Sequence, residues 1–261
     1  MTNILAGRVA FTIFGLDVYW YGLIIATALF IAFVLAIVLS KKRGIDSDIP
    51  FDILVASIPL GIVCARAFDC IFDSSLTILD FFEFRSGGMS IIGAILGGAF
   101  GLLLLKLIKK RSFLECADLI VVVLILAQGI GRWGNYFNNE VYGQVVENAN
   151  WQFFPFAVNI SGVWYQALFF YEFCLNIIGF VVLLIIYLKV KNKGITVASY
   201  LIYYGTIRSI LEPMRQTQYI LKIGSVPVSL LISVLMVIIG IALMIYCILS
   251  RNKKEMQYEK K

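Results

Sequence analysis

Arg132, Asn135, Asn138 and Glu140 fall in one short stretch, Gly-Arg-Trp-Gly-Asn-Tyr-Phe-Asn-Asn-Glu-Val-Tyr-Gly at positions 131–143, directly after the apolar residues 119–130. A guanidinium presents a planar fork of donors matched to phosphate or carboxylate oxygens, amides donate and accept, and a carboxylate can take a proton. Such groups are costly at a membrane boundary unless they bind something, which makes this stretch the first place to look for chemistry. Arg208 and Glu212, four residues apart on one helical face, and the arginines Arg66 and Arg215 are further polar residues in apolar surroundings. The chain has no histidine, so the commonest general base and the commonest metal ligand are both missing. Cys64, Cys70, Cys116, Cys174 and Cys247 lack metal-type spacing and read as small core residues.

The elements that must position these residues follow from composition. With 61% hydrophobic and 15% charged residues, the chain is an all-α integral membrane protein and not a soluble domain. Seven apolar runs are expected to span the bilayer, at residues 18–40, 51–72, 89–108, 114–131, 165–188, 198–212 and 226–249. The whole chain, 1–261, reads as one membrane-embedded domain with an outer excursion at about 134–164 and a charged cytoplasmic tail at 250–261. The first run has no cationic region before it and is followed by Lys41, Lys42 and Arg43, so it reads as a retained anchor.

Basic residues orient the spans. Lys41 to Arg43 follow the first, Lys106 to Arg111 the third, Lys189 to Lys193 the fifth, and Arg251 to Lys261 the seventh. These alternate connections share one side, which the positive-inside rule makes the cytoplasm, leaving the N-terminus outside and the C-terminus inside. The net charge of +6 therefore belongs to loops beside membrane helices and is no nucleic-acid footprint. Arg8, Arg66, Arg85, Arg132, Arg208, Arg215 and Lys222 remain, and their preponderance of arginine points to anion recognition. On this topology Tyr21 and Gly22, Arg66, Gly87-Gly88-Met89-Ser90, Arg132, and Arg208 with Glu212 and Arg215 all converge on the outer half.

Each feature also has a structural reading. Arg208 and Glu212 could pair only to fix helix packing. Three arginines on different spans are harder to explain so, since each costs roughly 2.5–3.5 kcal/mol at a helix centre. Gly93, Gly97, Gly98 and Gly101 fit close helix packing, whereas the Gly87-Gly88 pair suits a tight turn near a ligand. The aromatic residues Trp151, Phe153, Phe154, Phe156 and Trp164 read as an interfacial segment, with a groove for a substrate protein as the alternative.

The stretch from Gly131 to Gly143 resembles the signature of the prolipoprotein diacylglyceryl transferases, bacterial membrane enzymes. The likeness extends to Tyr19-Trp20-Tyr21-Gly22, Ala65-Arg66, Gly87-Gly88-Met89-Ser90 with Gly93, Tyr171-Glu172, Gly205 through Arg208 to Glu212, and Pro227 with Ser233. The resemblance implies transfer of the diacylglyceryl group of phosphatidylglycerol to the lipobox cysteine of a preprolipoprotein signal peptide, the first step of lipoprotein modification. It implies an outer-leaflet site in the cell membrane, among membrane lipids, and no metal or organic cofactor. Arg132 and Arg208 then look like phosphate-handling arginines, Asn135 and Glu140 like site-shaping partners, and Tyr21 and Arg66 like lipid-site residues. Glu140 is the carboxylate best placed to act as base. Gly87, Gly88, Asn138 and Glu212 complete the expected substrate site.

The sequence departs from that family's pattern in places. Ile92 stands where histidine is usual, Gln166-Ala167 where His-Pro is common, Asp69 where an aromatic residue is frequent, and Leu230 where glutamine is. A catalytically silent paralogue that binds phosphatidylglycerol or lipoprotein precursors would keep the arginines and lose the histidines. An anion or lipid transporter would need polar residues through the full depth of the membrane, and the inner halves of the spans are nearly free of charge.

Overall fold

The computed structural model describes residues 9–72, 81–82, 90–110, 112–216, 222–223 and 226–259. Arg8, Arg85, Gly87, Gly88 and Met89 lie outside the described residues. In chain order the described elements are β1 (Val9–Ile13), β2 (Leu16–Tyr19), α1 (Trp20–Arg43), α2 (Ile49–Phe72), α3 (Ile91–Ile108) and α4 (Phe113–Asn138). Then come β3 (Ala157–Ile160), β4 (Val163–Gln166), α5 (Leu168–Lys189), α6 (Ile195–Leu211), β5 (Lys222–Ile223), β6 (Val226–Pro227) and α7 (Val228–Glu259). Seven α-helices thus stand where seven apolar runs were expected. Five of them, α1, α2, α4, α5 and α7, are long and apolar enough to cross a membrane, while α6 and the apolar part of α3 are shorter.

Boundaries moved where local signals outweighed hydropathy. Residues 165–167 are not helical, because Ser161 and Gly162, both at positive φ, form a two-residue turn that pairs Ile160 with Val163 and Val158 with Tyr165. The same device, Phe14-Gly15, closes the β1–β2 hairpin ahead of α1. Helix α4 runs on through Asn138, so the chain leaves the helix at Asn139 and not near residue 134. The backbone of α7 stays helical to Glu259, well into the charged tail.

Two compact units are described separately, one within Leu35–Ile120 and one within Met1–Val34 and Val121–Lys261. In the first, α3 lies against α2 through Gly93, Gly97 and Gly101, where an added Cβ would strike Cys64, Leu60 and Ser57 in turn. Gly98, by contrast, has nothing within 4 Å of such a Cβ, so a side chain there would not point into the seam. Lys109, just past the end of α3, pairs with the buried Asp52 in the first turn of α2. Arg66 is fully buried within α2.

In the second unit α6 holds its neighbours by the same close approach. Gly205 sits against the carbonyl of Ser233 on α7, and Gly240 of α7 against Ala198 and Ile202. Gly179 of α5 receives the Tyr203 ring, whose hydroxyl donates to the Leu175 carbonyl at 2.7 Å. Large apolar side chains on α1, α5 and α7, such as Phe30, Ile178 and Ile238, stay exposed, as lipid-facing surfaces require. The five cysteines are free thiols, with Cys116 and Cys247 buried. Since Gly97 meets backbone and Gly98 meets nothing, Gly97→Ala is expected to cost about 1–3 kcal/mol of stability by overpacking and Gly98→Ala to be neutral. Thermal unfolding midpoints in detergent check this; equal midpoints for the two variants would contradict the seam.

Candidate active site

The stretch 131–143 divides its labour residue by residue. Gly131 and Gly134 leave room for Ile25 and for the Tyr21 ring at the start of α1, whose Trp20 stacks on Phe137 at 5.0 Å. Trp133 meets Phe169, Phe170 and Phe173 of α5 edge to face, and Tyr136 stacks on Phe169 at 5.0 Å. This aromatic cluster, closed by buried Tyr142, Val158 and Ala167, ties the end of α4 to the β3–β4 hairpin and the start of α5. Gly143 lets Gln166 approach its backbone and forms an isolated bridge with Arg215. Gln144 reaches the Pro213 carbonyl at 3.1 Å, so the excursion is laced to the turn after α6.

Between these supports lies a chain of ion pairs. Glu172 of α5 takes Arg132 of α4 on one carboxylate oxygen and Arg208 of α6 on the other, the latter from Nη1 at 2.7 Å. Arg208 Nη2 also donates to Glu212 at 2.9 Å, and Arg215 Nη1 approaches the same oxygen at 3.4 Å. The Glu212-Pro213-Met214 turn that ends α6 brings Arg215 back to this position. Three guanidinium groups against two carboxylates leave one net positive charge. The carboxylate side chains are only 3% and 2% exposed, while those of Arg132, Arg208 and Arg215 are 23%, 12% and 15% exposed, so the cations stand in front of the anions.

The polar character continues below the ion pairs. Arg132 Nη2 makes a long bond of 3.5 Å to the Tyr204 hydroxyl, Tyr204 stacks on Tyr200 at 5.5 Å, and Gln128 Nε2 donates to the Tyr200 hydroxyl at 3.0 Å. Gln128 and Arg132 are one turn apart on α4, as are Tyr200, Tyr204 and Arg208 in succession on α6. Above the ion pairs, Asn138 Nδ2 donates to Glu140 at 3.3 Å, and the charges of Glu140 and Arg132 both bear on Tyr21. Asn135 is buried, and its backbone carbonyl accepts the Glu140 N–H at 3.0 Å.

Of the residues singled out from sequence, Arg132, Arg208 and Glu212 meet in one network, and Tyr21, Asn135, Asn138 and Glu140 stand at the same end of the same unit. Arg66 belongs to the other unit, and Gly87 and Gly88 lie outside the described residues. The four-residue spacing of Arg208 and Glu212 does give an ion pair. Arg215, counted from sequence among the anion-recognising arginines, joins the same network, whereas sequence reasoning gave no role in the site to Glu172 or Tyr204. Glu172 carried a usable signal, an acidic residue near the start of an otherwise largely apolar span, with arginines on two others in need of a counter-charge.

A sequence profile of the prolipoprotein diacylglyceryl transferase family matches residues 8–246. The chain belongs to this family. It is 36% identical over 253 residues to the phosphatidylglycerol–prolipoprotein diacylglyceryl transferase of Listeria welshimeri, covering 94% of this chain and 91% of that protein. The protein of the same name from Listeria innocua is 37% identical over 247 residues, with 91% and 88% covered. That from Clostridioides difficile is 32% identical over 255 residues, with 97% and 99% covered. The chain is therefore a multi-pass membrane transferase, and the ion-pair chain is the candidate for its active site.

Removing the shared carboxylate tests that assignment at the level of structure. Glu172→Gln leaves the half-buried Arg132 without its carboxylate and Arg208 with Glu212 alone, so stability should fall, by at most about 3–5 kcal/mol. A thermal unfolding midpoint equal to that of the unmodified protein would mean that Arg132 and Arg208 are held by other contacts.

Proposed function

We propose that the protein transfers the diacylglyceryl group of phosphatidylglycerol to the thiol of the lipobox cysteine in preprolipoproteins, and that it does so at the outer leaflet of the bacterial cell membrane. The observation that carries this reading is the pair Arg132 and Arg208, delivered by two helices and clamped by one buried carboxylate, Glu172. Each guanidinium has five donors, and the carboxylates occupy only some of them, so the exposed edges are free to take phosphate oxygens.

The step is a displacement. The cysteine sulfur forms a bond to the glycerol carbon of the diacylglyceryl group, the carbon–oxygen bond to phosphate breaks, and its electron pair leaves on glycerol phosphate. Negative charge grows on the departing phosphate, and fixed guanidinium groups in a water-poor site stabilise it more than they stabilise the bound lipid. The thiol proton needs an acceptor. Glu140 is the carboxylate proposed for that role, because its charge and that of Arg132 bear on the same Tyr21 side chain while it makes no ion pair with the arginines among the described residues. Glu212 is already engaged by both Arg208 and Arg215. Asn135 and Asn138 shape the turn around Glu140, and Tyr21 lines the lipid side. Arg66, Gly87 and Gly88 are proposed as further lipid-site residues on the strength of the family pattern.

Orientation follows from the basic connections, which put the ends of α4 and α6 outside. Cysteine reporters placed within residues 144–150, in a background without the five native cysteines, should react with an impermeant reagent from outside, and reporters near Lys109 and Lys191 only from inside. Labelling of residue 147 from the cytoplasmic side would put the proposed site in the wrong leaflet.

Activity tests the arginines directly. With purified protein, phosphatidylglycerol and a lipobox peptide, transfer is read as a mass increase on the cysteine. Arg132→Lys and Arg208→Lys keep the charge but lose the planar fork, and each should lower the rate about a hundredfold while the protein still folds. Near-normal rates in both would leave these residues as packing partners. Lipid binding without any transfer by the unmodified protein would favour the silent paralogue.

A further inference from the structure

The turn that carries Glu140 closes α4 in a particular way. Asn139 N donates to the Tyr136 carbonyl at 3.1 Å and Glu140 N to the Asn135 carbonyl at 3.0 Å. This pair of bonds is a Schellman closure, whose first residue past the helix must be left-handed and is usually glycine, sometimes asparagine. Asn139 occupies that position with φ +54°. Its side chain is pinned as well, since the hydroxyl of buried Tyr142 donates to Asn139 Oδ1 at 3.0 Å. Tyr142 in turn stacks on Tyr165 at 5.9 Å, and its carbonyl accepts the Gln216 N–H at 3.4 Å. Val141 is left-handed too, at φ +57°, which a β-branched residue adopts only where its surroundings dictate it.

The consequence falls on Glu140. Were α4 to continue as a helix, residue 140 would stand roughly 12 Å further along the axis than Arg132. The closure instead folds the chain back, and Glu140 comes to rest against the Asn138 amide, with its charge bearing on Tyr21 beside Arg132. We propose that Asn139 is a positioning residue, whose left-handed backbone aims the Glu140 carboxylate at the reacting thiol. This rests on the reading of Glu140 as the base. It assigns Asn139 a conformational task and no contact with substrate.

The test compares Asn139→Gly with Asn139→Val, each with Glu140 present and in a Glu140→Gln background, by steady-state transfer to a lipobox peptide. Glycine accepts the left-handed conformation freely, so Asn139→Gly should keep kcat within about twofold. Valine opposes it, so Asn139→Val should lower kcat about tenfold or more with the KM for phosphatidylglycerol unchanged. In the Glu140→Gln background Asn139→Val should add no further loss, because a residue that acts through Glu140 has nothing left to position. Should Asn139→Val not accumulate in membranes, Asn139→Ala strains the same turn without added bulk and takes its place. Asn139→Gly as damaging as Asn139→Val would overturn the inference, as would an equal loss from Asn139→Val in both backgrounds. Full transfer by Glu140→Gln alone is a different result, which removes Glu140 as the base and the purpose of the turn with it.

Discussion

Glu172 holds two guanidinium groups that would otherwise repel. Two like charges a few ångströms apart at an effective dielectric of about 20 oppose each other by about 2–4 kcal/mol, and α4 and α6 would have to separate or turn Arg132 and Arg208 away. A single carboxylate from α5, with one oxygen on each arginine, converts that repulsion into a clamp. The relative rotation of three helices is thereby fixed to the accuracy of hydrogen bonds, which packing of aliphatic side chains alone would not give. Glu212 repeats the device one step on, between Arg208 and Arg215. A buried ion pair is weak support for stability as such, because desolvation consumes most of the attraction. Its value here is geometric.

The clamp works only if the helix ends carrying it cannot rotate, and the aromatic residues see to that. Trp133 sits among Phe169, Phe170 and Phe173, one residue along from Arg132, so rotation of α4 would pull a large ring out of its slot. On α5 the same rings flank Glu172 in sequence. The β3–β4 hairpin adds a lid of backbone pairing: Val146 N reaches the Trp164 carbonyl at 2.8 Å and Gln166 N the Gln144 carbonyl at 2.9 Å, so the excursion returns to the head of α5 on a fixed path. Gly134 and Gly143 are small for the sake of their neighbours, Tyr21 and Gln166, and belong to this scaffolding.

The seven helices were legible because runs of apolar residues long enough to cross a bilayer have few other uses. The pairing of Arg208 with Glu212 was legible because it is local, one turn apart on one helix. Glu172 has its partners on α4 and α6, and no spacing within α5 announces them. The hairpin was hidden for a related reason: Val163–Gln166 is apolar enough to pass for the start of a span, and only the Ser161-Gly162 turn marks it as a strand. In α3 the sequence offered several glycines as a group, whereas the structure separates Gly93, Gly97 and Gly101, where a Cβ would strike α2, from Gly98, where it would meet open space. Asn139 was part of the signature yet carried no chemical signal, since its contribution lies in a backbone angle.

The charge balance of the ion-pair chain has a bearing on turnover under the proposed chemistry. One net positive charge matches the single negative charge of a phosphodiester, so the lipid binds without a large excess of attraction that would have to be overcome later. As the carbon–oxygen bond breaks in the proposed step, the phosphate becomes a monoester with a charge of about −1.5 to −2 near neutrality, beside the guanidinium groups proposed to hold it. Attraction therefore grows along the reaction coordinate, which is the condition for binding energy to lower the barrier and not merely tighten the ground state. The product then carries more negative charge than the site can balance, and buried Glu172 and Glu212 stand directly behind the arginines to oppose it. A third arginine without its carboxylate would strengthen the transition state and the product complex alike; alternating cations with buried anions keeps the first advantage while letting glycerol phosphate return to water.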